Sequence, residues 1–328
     1  MTQSQNQSGE FDLIARYFQS WSKFSNGSIN TIVPNGDDCL VIQSPSPIAI
    51  SVDTIVENVH FLTVSPAHGV GYRALATAVS DLVAMGATPS FFTLALTFNK
   101  DEAWLKAFSE GLKQAAQDFK IDLQGGDTTH LSSNRKTSNT FQPCVITIQV
   151  HGQCDQPLKR STAKVGDLIC VTGNLGDAAA AVSVLEKPNP NDNENAFLQA
   201  FYYPKPPIHL SQALSKKANS AIDVSDGLLA DLMHICKQSQ VQAKLNTPDI
   251  PLSMANKQHN TAEQALKFAL TGGDDYQVCF TISPSEKQWA IENDCFVIGE
   301  VQEGAVDILD EHNDSYSKHF SSLGYQHF

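Results

Sequence analysis

Apolar residues recur at helical spacing in several stretches of the chain. In the first long one, Leu75, Ala78, Val79 and Leu82 share a stripe, and Gly86 followed by Pro89 gives a stop, so a helix is expected over roughly 67–86. Trp104, Leu105, Phe108, Leu112, Ala116 and Phe119 predict a second helix over 102–119. Shorter helices are expected over 10–24, over the alanine-rich Ala178–Val182 and over Leu228–Ile235. Between them lie short runs with strand character: Cys39–Ile42, Ile48–Asp53, Phe91–Phe98, Ile121–Gln124, Cys144–Val150, Gly166–Gly173, Ser220–Asp223, Tyr276–Ile282 and Cys295–Val301. Residues 131–140 and 187–195 read as polar loops. Strands and helices alternate in both halves, so both are α/β in character. A boundary is expected near Gly152–Arg160, which suits two domains of ordinary size in 328 residues.

Composition narrows the class. A hydrophobic share of 41% with 17% charged residues is that of a soluble globular enzyme. No apolar run is long enough for a membrane span. The polar start Met1–Ser8 has no signal-peptide character, and the cytoplasm is the expected compartment. The seven cysteines are scattered, none in a C-x-x-C pair, so several are expected to be core thiols rather than zinc ligands or disulfides. A net charge of −13 argues against a nucleic-acid backbone as partner. It leaves phosphate ligands open, because divalent cations can reverse the local sign in an acidic site.

The candidate chemistry is carried by aspartates. Asp81 falls on the row of Val70, Ala74 and Thr77, and no Lys or Arg lies one turn away. A carboxylate among small apolar residues is expensive unless something compensates it. Further aspartates stand at strand ends or Gly-rich turns: Gly36-Asp37-Asp38, Ser51-Val52-Asp53, Gly126-Asp127, Asp223-Val-Ser-Asp226 and Gly273-Asp274-Asp275. Asp is also a common turn former, but short carboxylates repeated beside Gly suit Mg²⁺, which prefers oxygen ligands and shares its shell with water and phosphates. Gly173-Asn-Leu-Gly176-Asp177 precedes the alanine-rich helix, where amides can hold phosphate or Asp can simply cap. It is neither a Walker A loop nor G-x-G-x-x-G. His60 closely follows Asp53. Arg160 is a basic spot in an acidic chain, either a solvated guanidinium or a phosphate clamp.

Taken in order, these motifs resemble the thiamine-monophosphate kinases, within the ATP-binding superfamily of aminoimidazole ribonucleotide synthetase. The likeness runs from Gly9-Glu10-Phe11 through Asn58-Val-His60-Phe61, Ser80-Asp-Leu-Val-Ala-Met-Gly-Ala87 and Gly125-Gly-Asp-Thr-Thr129. It continues through Arg160–Asp167, Asp223-Val-Ser-Asp-Gly227 and Gly272-Gly-Asp-Asp-Tyr276 to Gly324-Tyr-Gln-His-Phe328. It implies a two-domain α/β (PurM-like) fold. Residues 1–152 would form an ATP- and metal-binding domain whose sheet pairs into a barrel across a homodimer. Residues 153–328 would form an α/β sandwich. The implied activity is phosphorylation of thiamine monophosphate to thiamine diphosphate by direct in-line transfer from ATP, giving ADP.

The resemblance also implies roles. Several Mg²⁺ ions would be held by Asp38, Ser51, Val52 (through its carbonyl), Asp53, Asp81, Asp127, Asp223 and Asp226, with Asp81 and Asp223 the most critical. Gly126, Asp127, Arg160 and Ser225 would contact ATP. His60, Asp274 and Ser322 would contact thiamine monophosphate. At position 274 the family often has Glu, and at 322 an aromatic residue, so Phe320 or Tyr325 is expected to supply the stacking ring. No residue is expected as a general base, because a phosphate monoester with a second pKa of about 6 is already mostly ionised. Three rivals stand beside this reading. An aminoimidazole ribonucleotide synthetase would show a different stretch in place of Asn58-Val-His60-Phe61. A selenophosphate synthetase would need a reactive Cys before Cys39, where none exists. A non-catalytic metal- or nucleotide-binding protein would show no turnover.

Overall fold

The computed structural model describes residues 13–19, 29–33, 41–131, 142–320 and 322–325. The chain divides into two compact units. The first comprises Met1–Pro45, Ile50–Ala78 and Ser90–His151; the second comprises Ser46–Ala49, Val79–Pro89 and Gly152–Phe328. Of the expected helix over 10–24, residues 13–19 are described and are helical, with a π-turn over Ala15–Gln19.

The first unit holds a small ribbon of β1 (Asn30–Val33) and β2 (Val41–Gln43), paired antiparallel. Its main sheet contains β3 (Ile48–Val56), β4 (Thr88–Phe98), β5 (Asp122–His130) and β6 (Val145–Gln153), in the order β3-β6-β4-β5. Helices α1 (Ala67–Ala84) and α2 (Glu102–Phe119) complete it, with α1 passing into the second unit at Val79. Both helices form where the apolar stripes predict them. Asp101 caps α2 by accepting from the Trp104 amide at 2.8 Å. Gly71 and Gly111 let the two helices nearly touch: a Cβ on Gly111 would stand 1.8 Å from the His68 carbonyl oxygen. Almost every residue of α1 from Val70 to Val83 is buried, whatever its position on the helical wheel. Gly86, at φ +70, ends it as the sequence suggests.

One expectation fails here. Gly125-Gly126-Asp127 is not a turn after a short strand but the middle of β5, paired parallel to β4 with Gly126 opposite Leu94 and Asp127 opposite Ala95. The glycines misled because they usually punctuate strands. Here one permits a close approach instead: a Cβ on Gly126 would lie 2.0 Å from the Leu94 carbonyl oxygen.

The second unit is built on a six-stranded sheet. Its strands are β7 (Leu168–Val171), β8 (Ala218–Asp223), β9 (Gln242–Leu245), β10 (Val278–Ile282), β11 (Phe296–Gln302) and β12 (Ile308–Leu309). The order is β12-β9-β11-β7-β10-β8, antiparallel except for the parallel β12–β9 pair. Its helices are α3 (Asp177–Ala181), α4 (Asp192–Tyr202), α5 (Ser211–Lys217), α6 (Leu228–Ser239), α7 (Met254–His259), α8 (Ala262–Thr271) and α9 (Lys287–Glu292). Leu228, Leu229, Leu232 and Ile235 of α6 pack with Ile169, Val171, Ile222 and Ile298 into one core. Every residue of β10 is buried, as a central strand requires. The expected loop over 187–195 is partly helix. Asn191 caps α4 in a capping box with Glu194, a signal its Asn- and Pro-rich surroundings hide. Together the two units make a mixed α/β fold of two main sheets and the small ribbon.

Candidate functional site

The acid-rich turn of the second unit starts at the end of β8. Asp223 is the last residue of that strand and is only 4% exposed. Its Oδ2 accepts from the Ser80 hydroxyl at 2.7 Å, which brings the end of α1 to the end of β8 across 143 residues of sequence. Burial first, and then the charge of Asp81, raise the Asp223 carboxyl above the ordinary range; the Ser80 hydrogen bond and the Arg160 charge pull the other way. Asp81, Arg160 and Asp223, far apart in sequence, therefore share one electrostatic neighbourhood.

After Asp223 the chain makes the turn Ser225-Asp226-Gly227 and enters α6. Three segments fasten this turn. Asp231, in the first turns of α6, reaches back with Oδ2 to the amides of Ser225, Asp226 and Gly227 at 3.0, 3.1 and 3.1 Å. Burial, with the charges of Asp223 and Asp226, pushes its carboxyl up to about 8, against the pull of those amides. The 272–276 loop donates from the Asp274 amide to the Ser225 carbonyl and from the Tyr276 amide to the Val224 carbonyl, both at 2.8 Å. Asp274 and Tyr276 are left-handed, at φ 73 and 51, and the Tyr276 hydroxyl donates to Asp274 Oδ1 at 2.8 Å. Last, the Tyr325 amide donates to the Asp226 carbonyl at 2.9 Å.

Four residues expected to act in this unit, Ser225, Asp226, Asp274 and Tyr325, are thus placed around one turn. Ser225 and Asp226 form it, and Asp274 and Tyr325 are bonded to it; Arg160 bears on Asp223 only through its charge, which lowers that carboxyl. The Arg160 backbone is held from α6, where the Ser239 hydroxyl donates to the Arg160 carbonyl at 2.8 Å and accepts from the Ala163 amide. Ser322 bonds within its own turn, donating to the Gly324 carbonyl at 2.6 Å. Of the two rings considered for stacking, Phe320 packs on the core beside Tyr316, whereas Tyr325 is 52% exposed.

The Gly173–Asp177 loop does not offer a vacant amide cradle. The Gly176 amide donates to both oxygens of the buried Asp275, at 3.0 and 2.8 Å, and α3 beyond it has five residues. Asp231 and Asp275 are the two residues that sequence reasoning missed. Asp231 sits in an ordinary amphipathic stretch, and Asp275 was grouped with its neighbour as one acidic turn.

In the first unit, Ser51, Val52 and Asp53 lie on β3, with Val52 exposed and Asp53 Oδ1 accepting from the Thr54 amide at 2.8 Å. His60 Nδ1 accepts from the Val56 amide at 3.1 Å, which puts any ring proton of the neutral imidazole on Nε2. The loop carrying it is anchored by buried Glu57, which pairs with Lys100 and accepts from the Cys144 amide at 2.9 Å. Burial alone would raise the Glu57 carboxyl, but Lys100, Cys144 and Thr63 outweigh it and hold it below the ordinary range. Asp127 is exposed on β5, beside a cavity of about 30 Å³ lined by Ile14, Phe18, Leu94, Leu123 and the 125–128 strand. Asp38 lies outside the described residues.

The donor chemistry of the second unit fits a hard cation. A buried carboxylate raised by a second carboxylate is relieved when a divalent ion binds both, and oxygen-only ligands match Mg²⁺. Among the described residues, the three-group cluster with ligand atoms within 4.8 Å of one another is elsewhere, at Asp310, Asp314 and His319. It contains none of the expected ligands. The six cysteines that are described are buried free thiols, as expected of core positions.

The chain is similar to known proteins in sequence and in fold. Residues 36–154 match the family model described as AIR synthase related protein, N-terminal domain. The chain is 41% identical over 285 residues to a thiamine-monophosphate kinase of Haemophilus influenzae, covering 85% of this chain and 83% of that protein. It is likewise 41% identical to the thiamine-monophosphate kinase of Escherichia coli K12, over 84% of this chain and 82% of that one. Among solved structures, thiamine-monophosphate kinase from Stenotrophomonas maltophilia K279a superposes with a TM-score of 0.77 at 32% identity, covering 85% of this chain and 90% of that one. AaThiL complexed with AMPPCP and TMP superposes with a TM-score of 0.78 at 26% identity over the full length of both. With its two-sheet fold, its aspartate turns and this identity over most of its length, the chain belongs to the thiamine-monophosphate kinase family.

Proposed function

We propose that the protein phosphorylates thiamine monophosphate to thiamine diphosphate by direct in-line, Mg-assisted transfer from ATP, releasing ADP. One observation carries it: Ser80, next to Asp81, donates to the buried Asp223 where the acid-rich turn begins, in a chain with this family membership. In the second unit, Asp81, Asp223 and Asp226 would hold Mg²⁺, Arg160 and Ser225 would contact ATP, and Asp274 and Ser322 would meet thiamine monophosphate. In the first unit, Asp38, Ser51, the Val52 carbonyl, Asp53 and Asp127 would add metal ligands, Gly126 and Asp127 would contact ATP, and His60 would donate from Nε2 to the acceptor phosphate. Bound Mg²⁺ supplies neutralisation of the two anionic phosphates that must approach each other. The chain's own part is to orient and to add charge through Arg160; no residue need take a proton, since the acceptor is mostly ionised near neutrality.

The division at residue 152 and a homodimer joined through the first unit's sheet belong to the same proposal. In its support, β3 is an edge strand of that sheet, with Ile50 and Val52 56% and 58% exposed. A cytoplasmic setting fits as well: among the described residues no helix is long and apolar enough to cross a membrane. The test is incubation with Mg-ATP and thiamine monophosphate. Thiamine diphosphate and ADP in equal amounts are expected; neither product would favour a non-catalytic binding protein.

A further inference from the structure

We infer that Asp231 is a positioning residue for this phosphoryl transfer: it sets the Ser225-Asp226-Gly227 turn in the form that presents Asp223 and Asp226 to cations. The inference rests on the proposed function for its purpose and on geometry for its substance. Asp231 is the fourth residue of α6 and is 3% exposed. A carboxylate at a helix start ordinarily bonds one amide of its own first turn. Here a single oxygen collects three consecutive amides that precede the helix. The carbonyls of Val224, Ser225 and Asp226 are meanwhile taken by the amides of Tyr276, Asp274 and Tyr325. With the backbone fixed on both its donor and its acceptor sides, the Ser225 and Asp226 side chains are what the turn can offer to a ligand.

A consequence for nucleotide binding follows. Amides before a helix are a common phosphate cradle. At α6 they are spent on Asp231, so a phosphate meets this turn through the Ser225 hydroxyl and through cations on the carboxylates. Asp231 touches none of these ligands itself; it acts through the turn.

The experiment compares wild type with Asp231→Ala and Asp231→Asn in the full chain. Hydrogen exchange, Mn²⁺ affinity in the presence of a non-hydrolysable ATP analogue, and steady-state kinetics are measured on each. For Asp231→Ala, exchange at residues 225–227 is expected to speed at least about tenfold while residues 232–239 stay protected. Mn²⁺ affinity and kcat should each fall by about 10–100-fold, the usual cost of losing a group that orients metal ligands, with KM for thiamine monophosphate changed less than about twofold. Asp231→Asn retains one oxygen acceptor and is expected to lie between. Faster exchange with unchanged Mn²⁺ affinity and kcat would reduce Asp231 to a helix cap and overturn the inference. If the alanine variant does not fold, the asparagine variant decides: wild-type Mn²⁺ affinity there overturns it too. If wild type makes no thiamine diphosphate, the proposed function fails, while the exchange and Mn²⁺ measurements still decide Asp231.

Discussion

Adjacent glycines in β5 give a sharp test of what Gly126 is for. Resemblance to the family assigns it a contact with ATP; the structure also gives it a packing reason. A Cβ built on Gly125 meets Thr93 Cγ2 at 3.6 Å, an ordinary contact. One built on Gly126 meets the Leu94 carbonyl oxygen at 2.0 Å, and ordinary contact begins at 3.4 Å, so the strands must part locally by about 1.4 Å. The obstacle is backbone of a paired, buried strand and cannot rotate away. Gly126 also sits at φ +158, which side chains rarely adopt. Overpacking of this kind costs about 1–3 kcal/mol and an unfavourable backbone conformation roughly as much again. Gly126→Ala should therefore lose about 2–5 kcal/mol, whereas Gly125→Ala should be neutral or gain a few tenths from a less flexible unfolded chain. By calorimetry the first should melt roughly 5–15 °C below wild type and the second within about 2 °C of it. Because Asp127 moves with its neighbour, Gly126→Ala should also raise KM for ATP several-fold, and Gly125→Ala should not. Equal melting temperatures for the two variants would refute the packing account.

Asp81→Asn should keep the fold, remove most turnover and raise the Mg²⁺ concentration needed for half-maximal rate; a near wild-type rate at ordinary Mg²⁺ would return Asp81 to a structural role. His60→Ala should cost one to two orders of magnitude in kcat/KM for thiamine monophosphate, about the worth of a hydrogen bond to a charged group, and leave ATP-analogue binding by calorimetry nearly unchanged. A lowered melting temperature with intact kinetics would show a packed histidine instead. Glu57→Gln tests the anchor under the His60 loop, and should cost about 2–4 kcal/mol at neutral pH by stranding Lys100. Since the folded carboxyl titrates below its unfolded value, its stabilisation is present above the ordinary carboxylate range and is lost as pH falls through the folded value. The gap in melting temperature between wild type and Glu57→Gln should accordingly close in acid, and a gap independent of pH would rule out the charged pair as the anchor.

What the sequence showed of the site follows how local each feature is. Asp81 stands out in the sequence because no Lys or Arg lies one helical turn away; the approach of Asp223 is invisible until β8 and α1 are placed together. Asp223-Val-Ser-Asp226 could be read directly, since an acid-rich turn between a strand and a helix is a local pattern. Asp231 could not, because in Leu-Leu-Ala-Asp-Leu it occupies what reads as the polar side of an amphipathic helix, while in the fold it is buried. The long helices were legible from periodicity. The helix after Asn191 was not, because the composition of its cap is that of a loop, and the 125–127 strand was not, because glycines chosen for close approach look like glycines chosen for a turn.

The second unit has two helix starts that would ordinarily suit phosphate, and its own carboxylates fill both. Asp275 takes the Gly176 amide before α3, and Asp231 takes the three amides before α6. What remains at the Asp223 turn is the carboxyl groups of Asp223 and Asp226, with the charges of Asp81 and Arg160 acting on Asp223. Such a group of acids disfavours a polyphosphate, even with the Asp223 carboxyl raised by burial. On the proposed function, nucleotide affinity would then come through divalent ions bound to those acids, with Arg160 acting on phosphates that the ions have already drawn in. On the same proposal no general base is called for among so many carboxylates: they would hold cations, and the acceptor oxygen carries its own charge. Binding of an ATP analogue should consequently collapse in a chelator and return with Mg²⁺, whereas a cradle of amides would retain much of it.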